Sequence, residues 1–155
     1  MIPIKNSLFV TYFDEIAIED LAKISLLDDA EASELWFGRF GQKSKGFHDL
    51  PSVCWVIQGP WHDVGSWIEA FNGEEPLSEV ALLVERACGW PSDEIVFLVQ
   101  SSKCILRMRF CEFLKHWDSC MTAFNDGPIL ISESQRGTAL SFVPMGNIMK
   151  TNGDR

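Results

Sequence analysis

Two side chains that could act as a nucleophile and its base lie four residues apart in the last third of the chain. His116 and Cys120 would share one face of a helix, because residues i and i+4 of an α-helix are neighbours. A Cys–His pair is typical of nucleophilic catalysis, and it could also form half of a metal site. A closed zinc site needs four ligands, and neither His48 nor His62 has a ligand-like spacing to a partner. The sequence therefore predicts no metal ion and no cofactor.

Two histidines are each followed directly by an aspartate, which is the residue pair of an acid–base couple. Adjacent side chains point in different directions on a strand or a helix, so adjacency alone does not create an imidazole–carboxylate contact. In the pair His62–Asp63 the aspartate is predicted to cap a helix, and His48–Asp49 lies in the least regular part of the chain. We predict no catalytic residue in either pair.

A row of basic side chains follows one predicted strand. Lys103, Arg107 and Arg109 lie on the same side of an alternating segment. Binding to a nucleic-acid strand would need aromatic platforms beside the bases, so the more common explanation is the solvated face of an edge strand. No phosphate-binding loop occurs, because neither G-x-x-x-x-G-K nor G-x-G-x-x-G is present. We therefore expect no nucleic-acid partner.

The charge of the chain is strongly negative and unevenly distributed. The formal net charge is −9, and residues 63–94 carry one base against eight acids. Such a surface repels nucleic acids and anionic membranes, and it attracts basic proteins. Acidic side chains also keep an aromatic-rich protein in solution, which is their more common role.

Six tryptophans could stack on a ligand or contact a partner. Trp36, Trp67 and Trp117 each lie on an amphipathic stripe, so we expect them in the core. Trp61 and Trp90 lie near turns and are predicted to be partly exposed. The predicted partner-binding residues are these two tryptophans, Trp61 and Trp90, and two sets of acidic residues. The first set is Asp28, Asp29, Glu31 and Glu34, and the second set is Glu74, Glu75 and Glu79.

The five cysteines favour a reducing compartment. Their count is odd, no C-x-x-C spacing occurs, and each cysteine has apolar neighbours. Reduced, buried thiols fit this pattern and indicate the cytoplasm. An apolar run such as Ile95 to Val99 is far shorter than the roughly 20 residues of a membrane helix, and the first residues lack a signal-peptide core. We expect a cytoplasmic protein with no membrane partner.

The elements that must position these groups follow from hydrophobic spacing and turn signals. The length of 155 residues fits a single globular domain spanning 1–155. In the first part we predict a strand at Ser7 to Phe13, a short helix at Ile18 to Ser25, a helix at Ala30 to Phe37 capped by Asp28 and Asp29, exposed residues at Lys43 to Lys45, a strand at Val53 to Ile57, a helix at Val64 to Phe71 capped by Asp63, and a helix at Leu77 to Cys88.

The last third has the clearest pattern. Here we predict a central strand at Ile95 to Val99, a strand at Cys104 to Phe110, a helix at Phe113 to Phe124, a stop at Asn125 to Pro128, and strands at Ile129 to Ile131, Ala139 to Val143 and Ile148 to Lys150. A hairpin, a helix and then a strand meander are typical of an α+β fold. The prediction is an antiparallel sheet packed by several amphipathic helices.

Four motifs occur in a fixed order along the chain, around a Trp-rich middle. They are D-L-x-x-I-x-x-L at Asp20 to Leu27, A-x-x-L-W at Ala32 to Trp36, F-L-x-x-W at Phe113 to Trp117 and D-G-P-x-L-I at Asp126 to Ile131. This order resembles a family of short proteobacterial proteins of unknown function. The motifs are mostly hydrophobic positions and turns, so the resemblance implies an architecture and no particular reaction. In size, charge and class the chain is also similar to bacterial toxin-immunity proteins.

The sequence favours a binding protein over an enzyme. The first hypothesis is a non-enzymatic immunity protein that neutralises a basic, nuclease-like toxin by direct contact. The alternative is a small hydrolase or metal-dependent enzyme that uses His116, Cys120 and a carboxylate such as Asp118 or Asp126. A housekeeping protein without any toxin is the third hypothesis.

Overall fold

The protein is built around one antiparallel sheet. The computed structural model describes residues 1–41 and 44–154. Its strands are Ile2–Pro3 (β1), Ser25–Leu26 (β2), His62–Ser66 (β3), Ile95–Ser101 (β4), Cys104–Arg109 (β5), Ile129–Ser132 (β6), Gly137–Phe142 (β7) and Asn147–Asp154 (β8). They form a single sheet in the order β1-β2-β5-β4-β6-β7-β8-β3, and every neighbouring pair is antiparallel.

Six α-helices cover this sheet within the described part of the chain. They are Ile18–Leu21 (α1), Asp29–Phe40 (α2), Trp55–Gln58 (α3), Ile68–Phe71 (α4), Leu77–Cys88 (α5) and Phe110–Ala123 (α6). Three 3-10 turns lie at Ile4–Asn6, Val10–Phe13 and Phe47–Asp49. The predicted α+β class is confirmed, including the C-terminal hairpin (β4 and β5), helix (α6) and meander (β6 to β8).

Strand β4 is buried on both faces, as its apolar run predicts. Val96 and Leu98 belong to one core cluster, whereas Phe97 and Val99 belong to a second cluster. Successive side chains of a strand point to opposite faces, so the two clusters lie on opposite sides of the sheet. Helices α5 and α6 contribute to the first cluster and helices α2 and α3 to the second. The sheet is therefore a middle layer between two helical layers.

Helices α2 and α5, with 12 residues each, have well-defined ends. Helix α2 begins with a capping box, in which the Glu31 amide donates to Asp28 Oδ1 at 2.9 Å and the Asp28 amide donates to Glu31 Oε1 at 3.1 Å. It runs three residues beyond the predicted end at Phe37 and ends at Gly41, which has a left-handed φ of 72°. Helix α5 has the predicted bounds and ends at Gly89 in the same way.

The segment Ser7 to Phe13 is not the predicted strand. Its last four residues form a 3-10 turn, Phe13 is completely buried, and the ring of Phe9 meets that of Phe124 edge-on at 5.2 Å. The strand that closes this end of the sheet is β1, which pairs with β2. β-Propensity reflects how side chains pack on a sheet, and here the aromatic rings are buried against a helix instead.

The middle of the chain also differs from the prediction. Val53 to Ile57 is not a strand, because helix α3 begins at Trp55 and buries Val56 in the second core cluster. Asp63 lies in β3 and caps no helix. Its Oδ1 accepts the Gly65 amide at 2.9 Å beside a bulge, and only Ile68–Phe71 of the predicted helix is helical.

Two local predictions, about α1 and β5, differ from the fold, and one about Lys45 agrees with it. The predicted helix at Ile18 to Ser25 is limited to α1, because Ser25 belongs to β2. Strand β5 is not an edge strand, since it lies between β2 and β4, although β2 pairs with only Leu106 and Arg107. Lys45 is exposed as predicted, and Lys43 lies outside the described residues.

Candidate functional site

Three metal-ligating or acid–base side chains meet where α1 contacts α6. Asp20 is on α1, and Glu112 and His116 are one turn apart on α6. His116 Nε2 lies 3.4 Å from Asp20 Oδ2 and 3.8 Å from Glu112 Oε2. One ligand atom from each of the three residues lies within 4.8 Å of the others. We call these three residues the α1–α6 cluster.

The α1–α6 cluster is mostly buried and incompletely hydrogen-bonded. Glu112 is only 4% exposed, and the side chain of His116 is 16% exposed. Among the residues that the structure describes, neither Glu112 Oε2 nor His116 Nε2 has a hydrogen-bond partner. The backbone of His116 leaves the helical region with φ −124° and ψ 22°, which marks a kink in α6.

Two lysines border the α1–α6 cluster on its solvent side. Lys23 Nζ lies 3.2 Å from Asp20 Oδ1 and 3.5 Å from Glu112 Oε1, and Lys115 Nζ lies 3.3 Å from Asp20 Oδ2. Hydrogen bonds from Lys23 and then Lys115 lower the pKa of Asp20 below its usual value, so this carboxylate is ionised at neutral pH. The two ammonium groups balance the charges of the two carboxylates.

The predicted Cys–His pair is not a nucleophile and its base. Cys120 is completely buried, and desolvation raises the pKa of its thiol well above the usual value, with a further contribution from Asp118. Nε2 of His116 faces carboxylates instead. The enzyme hypothesis therefore loses its proposed nucleophile.

The acidic group at α2 is largely engaged within the protein. Asp28 and Glu31 form the capping box, and the hydrogen bond from the Glu31 amide lowers the pKa of Asp28. Glu34 is exposed, but it lines an open groove of about 490 Å³ together with Arg39, Arg107 and Arg136. Asp29 is exposed as well. Glu31 and Glu133 also line this groove, so it carries both acidic and basic side chains.

The second acidic group, Glu74, Glu75 and Glu79, is exposed to solvent. Every residue from 71 to 79 is exposed, and Glu74, Glu75 and Glu79 have no salt-bridge partner within the described ranges. Phe71 and Leu77 are 36% and 42% exposed. We call these five residues the α5 surface. It combines negative charge that has no ion-pair partner in the described ranges with exposed apolar area.

The α5 surface is held by the core beneath it. Val80 and Val84 of α5 are buried in the first core cluster. The indole N–H of Trp117 on α6 donates to the Leu77 carbonyl at 3.0 Å, at the first turn of α5. The first turn of α5, which contains Glu79 and follows Glu74 and Glu75, is therefore fixed in position.

The two tryptophans chosen as partner contacts are largely engaged inside the protein. Trp90 is 8% exposed and meets the ring of Phe110 at 5.3 Å, so the prediction that it is partly exposed is wrong. Trp61 is half-buried, so the prediction that it is partly exposed is confirmed, and its indole N–H donates to the Val56 carbonyl at 2.8 Å. The other expectation is confirmed, since the following tryptophans are in the core: Trp36, Trp67 and Trp117.

The two His–Asp pairs behave differently from each other. His48 Nε2 lies 3.5 Å from Asp49 Oδ1, so a contact does form where none was predicted. The imidazole is 84% exposed, and a surface contact of this kind contributes little. In the second pair Asp63 binds the Gly65 amide and Asn147 Nδ2 instead, each at 2.9 Å.

Sequence reasoning did not identify the α1–α6 cluster or one buried ion pair. Glu112 and His116 have the same i, i+4 spacing as His116 and Cys120, so the sequence indicates that these two of the three residues share one face of a helix. The ion pair joins Arg39 on α2 to Asp154 on β8. Its partners are far apart in sequence, and no local pattern connects them.

The fold and these sites define a small acidic α+β protein whose α5 surface carries exposed glutamates. Over residues 5–150 the chain matches the model of a family described as a protein of unknown function (DUF2947). The chain belongs to this family, which confirms the resemblance to a family of unknown function. The origin of the family and the likeness to immunity proteins stay predictions. No curated protein and no solved structure matches the chain significantly.

Of the helices that the structure describes, none is both long enough and apolar enough to cross a bilayer.

Proposed function

We propose that this chain is a non-enzymatic binding protein that captures a basic protein through the α5 surface. The observation that supports this most directly is the run of exposed residues 71–79, which contains three glutamates and no base. The other acidic group shares its surface with arginines, so the α5 surface is the stronger candidate.

The two components of the α5 surface have different roles in this proposal. Glu74, Glu75 and Glu79 attract a positively charged partner and orient it, which mainly increases the association rate. Phe71 and Leu77 supply apolar area that leaves water on binding, which mainly slows dissociation. A partner that fits has a basic surface around one or two exposed apolar side chains.

The most concrete form of the proposal is an immunity protein that neutralises a basic, nuclease-like toxin in a one-to-one complex. It is supported by the acidity, by the small α+β fold and by the burial of the Cys120 thiol, which argues against the hydrolase that would use His116 and Cys120. The five free cysteines are consistent with a cytoplasmic site of action.

The proposal is tested by affinity capture from cells of the native host. The bait proteins are the full chain, the reversal variant E74K/E75K/E79K, and a matched control, D14K/E15K/E19K. The control changes three exposed acids elsewhere and alters the net charge equally. We expect the wild type and the control to capture one basic protein in equal amount, and the reversal variant to lose it. Equal capture by all three baits, or no basic protein with any of them, would overturn the proposal.

A further inference from the structure

We propose that Asp20, Glu112 and His116 bind one divalent transition-metal ion, with zinc as the ion that suits the donors. The α1–α6 cluster offers one imidazole nitrogen and two carboxylate oxygens from two elements. Zinc accepts this mixture of nitrogen and oxygen ligands, and magnesium or calcium would favour oxygen alone.

The strongest observation is the state of Glu112. It is 4% exposed, its Oε2 has no hydrogen-bond partner among the described residues, and that atom points at His116 Nε2, which also has none. A buried acceptor without a partner is costly. A cation between Glu112, His116 and Asp20 would satisfy these atoms at once.

The distances fit a metal ion better than they fit direct hydrogen bonds. With Zn–N and Zn–O bonds of about 2.1 Å, two ligands of a tetrahedral site are about 3.4 Å apart. His116 Nε2 lies 3.4 Å from Asp20 Oδ2 and 3.8 Å from Glu112 Oε2. One donor atom of each residue lies within 4.8 Å of the other two, so the three donors are close enough to share one ion, and water would take the fourth position.

The lysines beside the α1–α6 cluster compete with the metal ion. Lys23 and Lys115 now compensate the carboxylates, and their side chains are 49% and 55% exposed. Both can therefore turn into solvent when a metal ion enters, at the cost of their ion pairs. This competition gives the proposal a specific consequence, because removal of the two ammonium groups should strengthen metal binding.

The site would join α1 to α6 and has no reaction assigned to it. Helix α1 has only four residues and no buried residue of its own, so contacts with its neighbours must hold it in place. A metal ion that binds only the folded chain stabilises it by mass action. A metal ion bound here would therefore add to the stability of the fold, independently of the α5 surface.

The test is a titration of the full chain with zinc chloride after treatment with a chelator. Isothermal calorimetry should give one zinc ion per chain, and zinc should raise the unfolding temperature. H116A and E112Q should each weaken binding by at least about tenfold, K23M/K115M should tighten it, and the exposed control H48A should leave it unchanged.

Cobalt(II) provides a second measurement on the same proteins. A tetrahedral cobalt site should give a visible absorption band that is lost in H116A, while circular dichroism shows whether each variant is folded. Absence of stoichiometric binding to the wild type would overturn the proposal. Equal binding by folded H116A and wild type would overturn it as well.

Discussion

Arg39 and Asp154 form an ion pair between α2 and β8 in which both side chains are almost completely buried. Arg39 is 5% exposed and Asp154 is fully buried, and Arg39 Nη1 also donates to the Ser132 carbonyl at 2.7 Å. A buried charge without its partner is strongly unfavourable. This pair therefore makes the docking of α2 on the sheet dependent on two residues far apart in sequence.

Removal of one partner of this pair should destabilise the protein severely. We expect R39M and D154A each to lower the free energy of unfolding by about 3–5 kcal/mol, measured by urea denaturation. The double variant R39M/D154A should lose less than the sum of the two. The exposed control R136M should stay within about 0.5 kcal/mol of the wild type. A single variant as stable as the control would contradict this interpretation.

The capping box of α2 predicts a pH dependence of stability. The Glu31 amide lowers the pKa of Asp28 in the folded protein, so the ionised cap stabilises the fold above the pKa of the unfolded chain. That stability is lost as the pH falls through the lower folded value. We expect D28A to melt a few degrees below the wild type at pH 7, and the gap to narrow below about pH 4. A gap independent of pH would show that the charge of Asp28 is not involved.

Cys120 should be chemically inert in the folded protein. Burial raises the pKa of its thiol and also blocks access by reagents. Peptide mapping after treatment with N-ethylmaleimide at pH 7.5 should find Cys120 unmodified, and unfolding in urea should expose it. C120A should capture the same partner as the wild type. Rapid labelling of Cys120 in the folded chain would restore the enzyme hypothesis.

The hydrogen bond from Trp117 to the Leu77 carbonyl should control the order of the α5 surface. W117F keeps most of the buried ring but removes the N–H that donates to this carbonyl, which should cost about 0.5–1.5 kcal/mol. Hydrogen exchange should become faster in the first turn of α5 and remain unchanged in β4. Uniform acceleration across the chain would indicate a general loss of stability instead.

The C-terminal half of the fold could be predicted because its patterns are local. Leu77 to Cys88 repeats at helical spacing between a proline and a glycine, and β4 is apolar on both faces as a central strand must be. The first 70 residues contain short elements that depend on distant contacts. Strand β1 has two residues and exists only through β2, so no window of sequence could reveal it.

The candidate sites also differ in whether the sequence could predict them, because some depend on local pattern and others on distant contacts. Glu74 and Glu75 lie in a polar segment between α4 and α5, and Glu79 lies in the first turn of α5, so the sequence shows their exposure directly. The burial of Trp90 depends on Phe110, and Asp20 reaches Glu112 only through the packing of α1 on α6. Spacing along the chain carries no information about such pairs.

The central claim is that negative charge on the α5 surface drives the encounter with a basic partner. Stopped-flow mixing of the captured partner with the wild type, E74K/E75K/E79K and D14K/E15K/E19K measures this directly. We predict that the reversal variant associates at least about tenfold more slowly at low salt, that the difference shrinks at high salt, and that the control matches the wild type. Equal association rates for wild type and reversal variant at low salt would contradict the account.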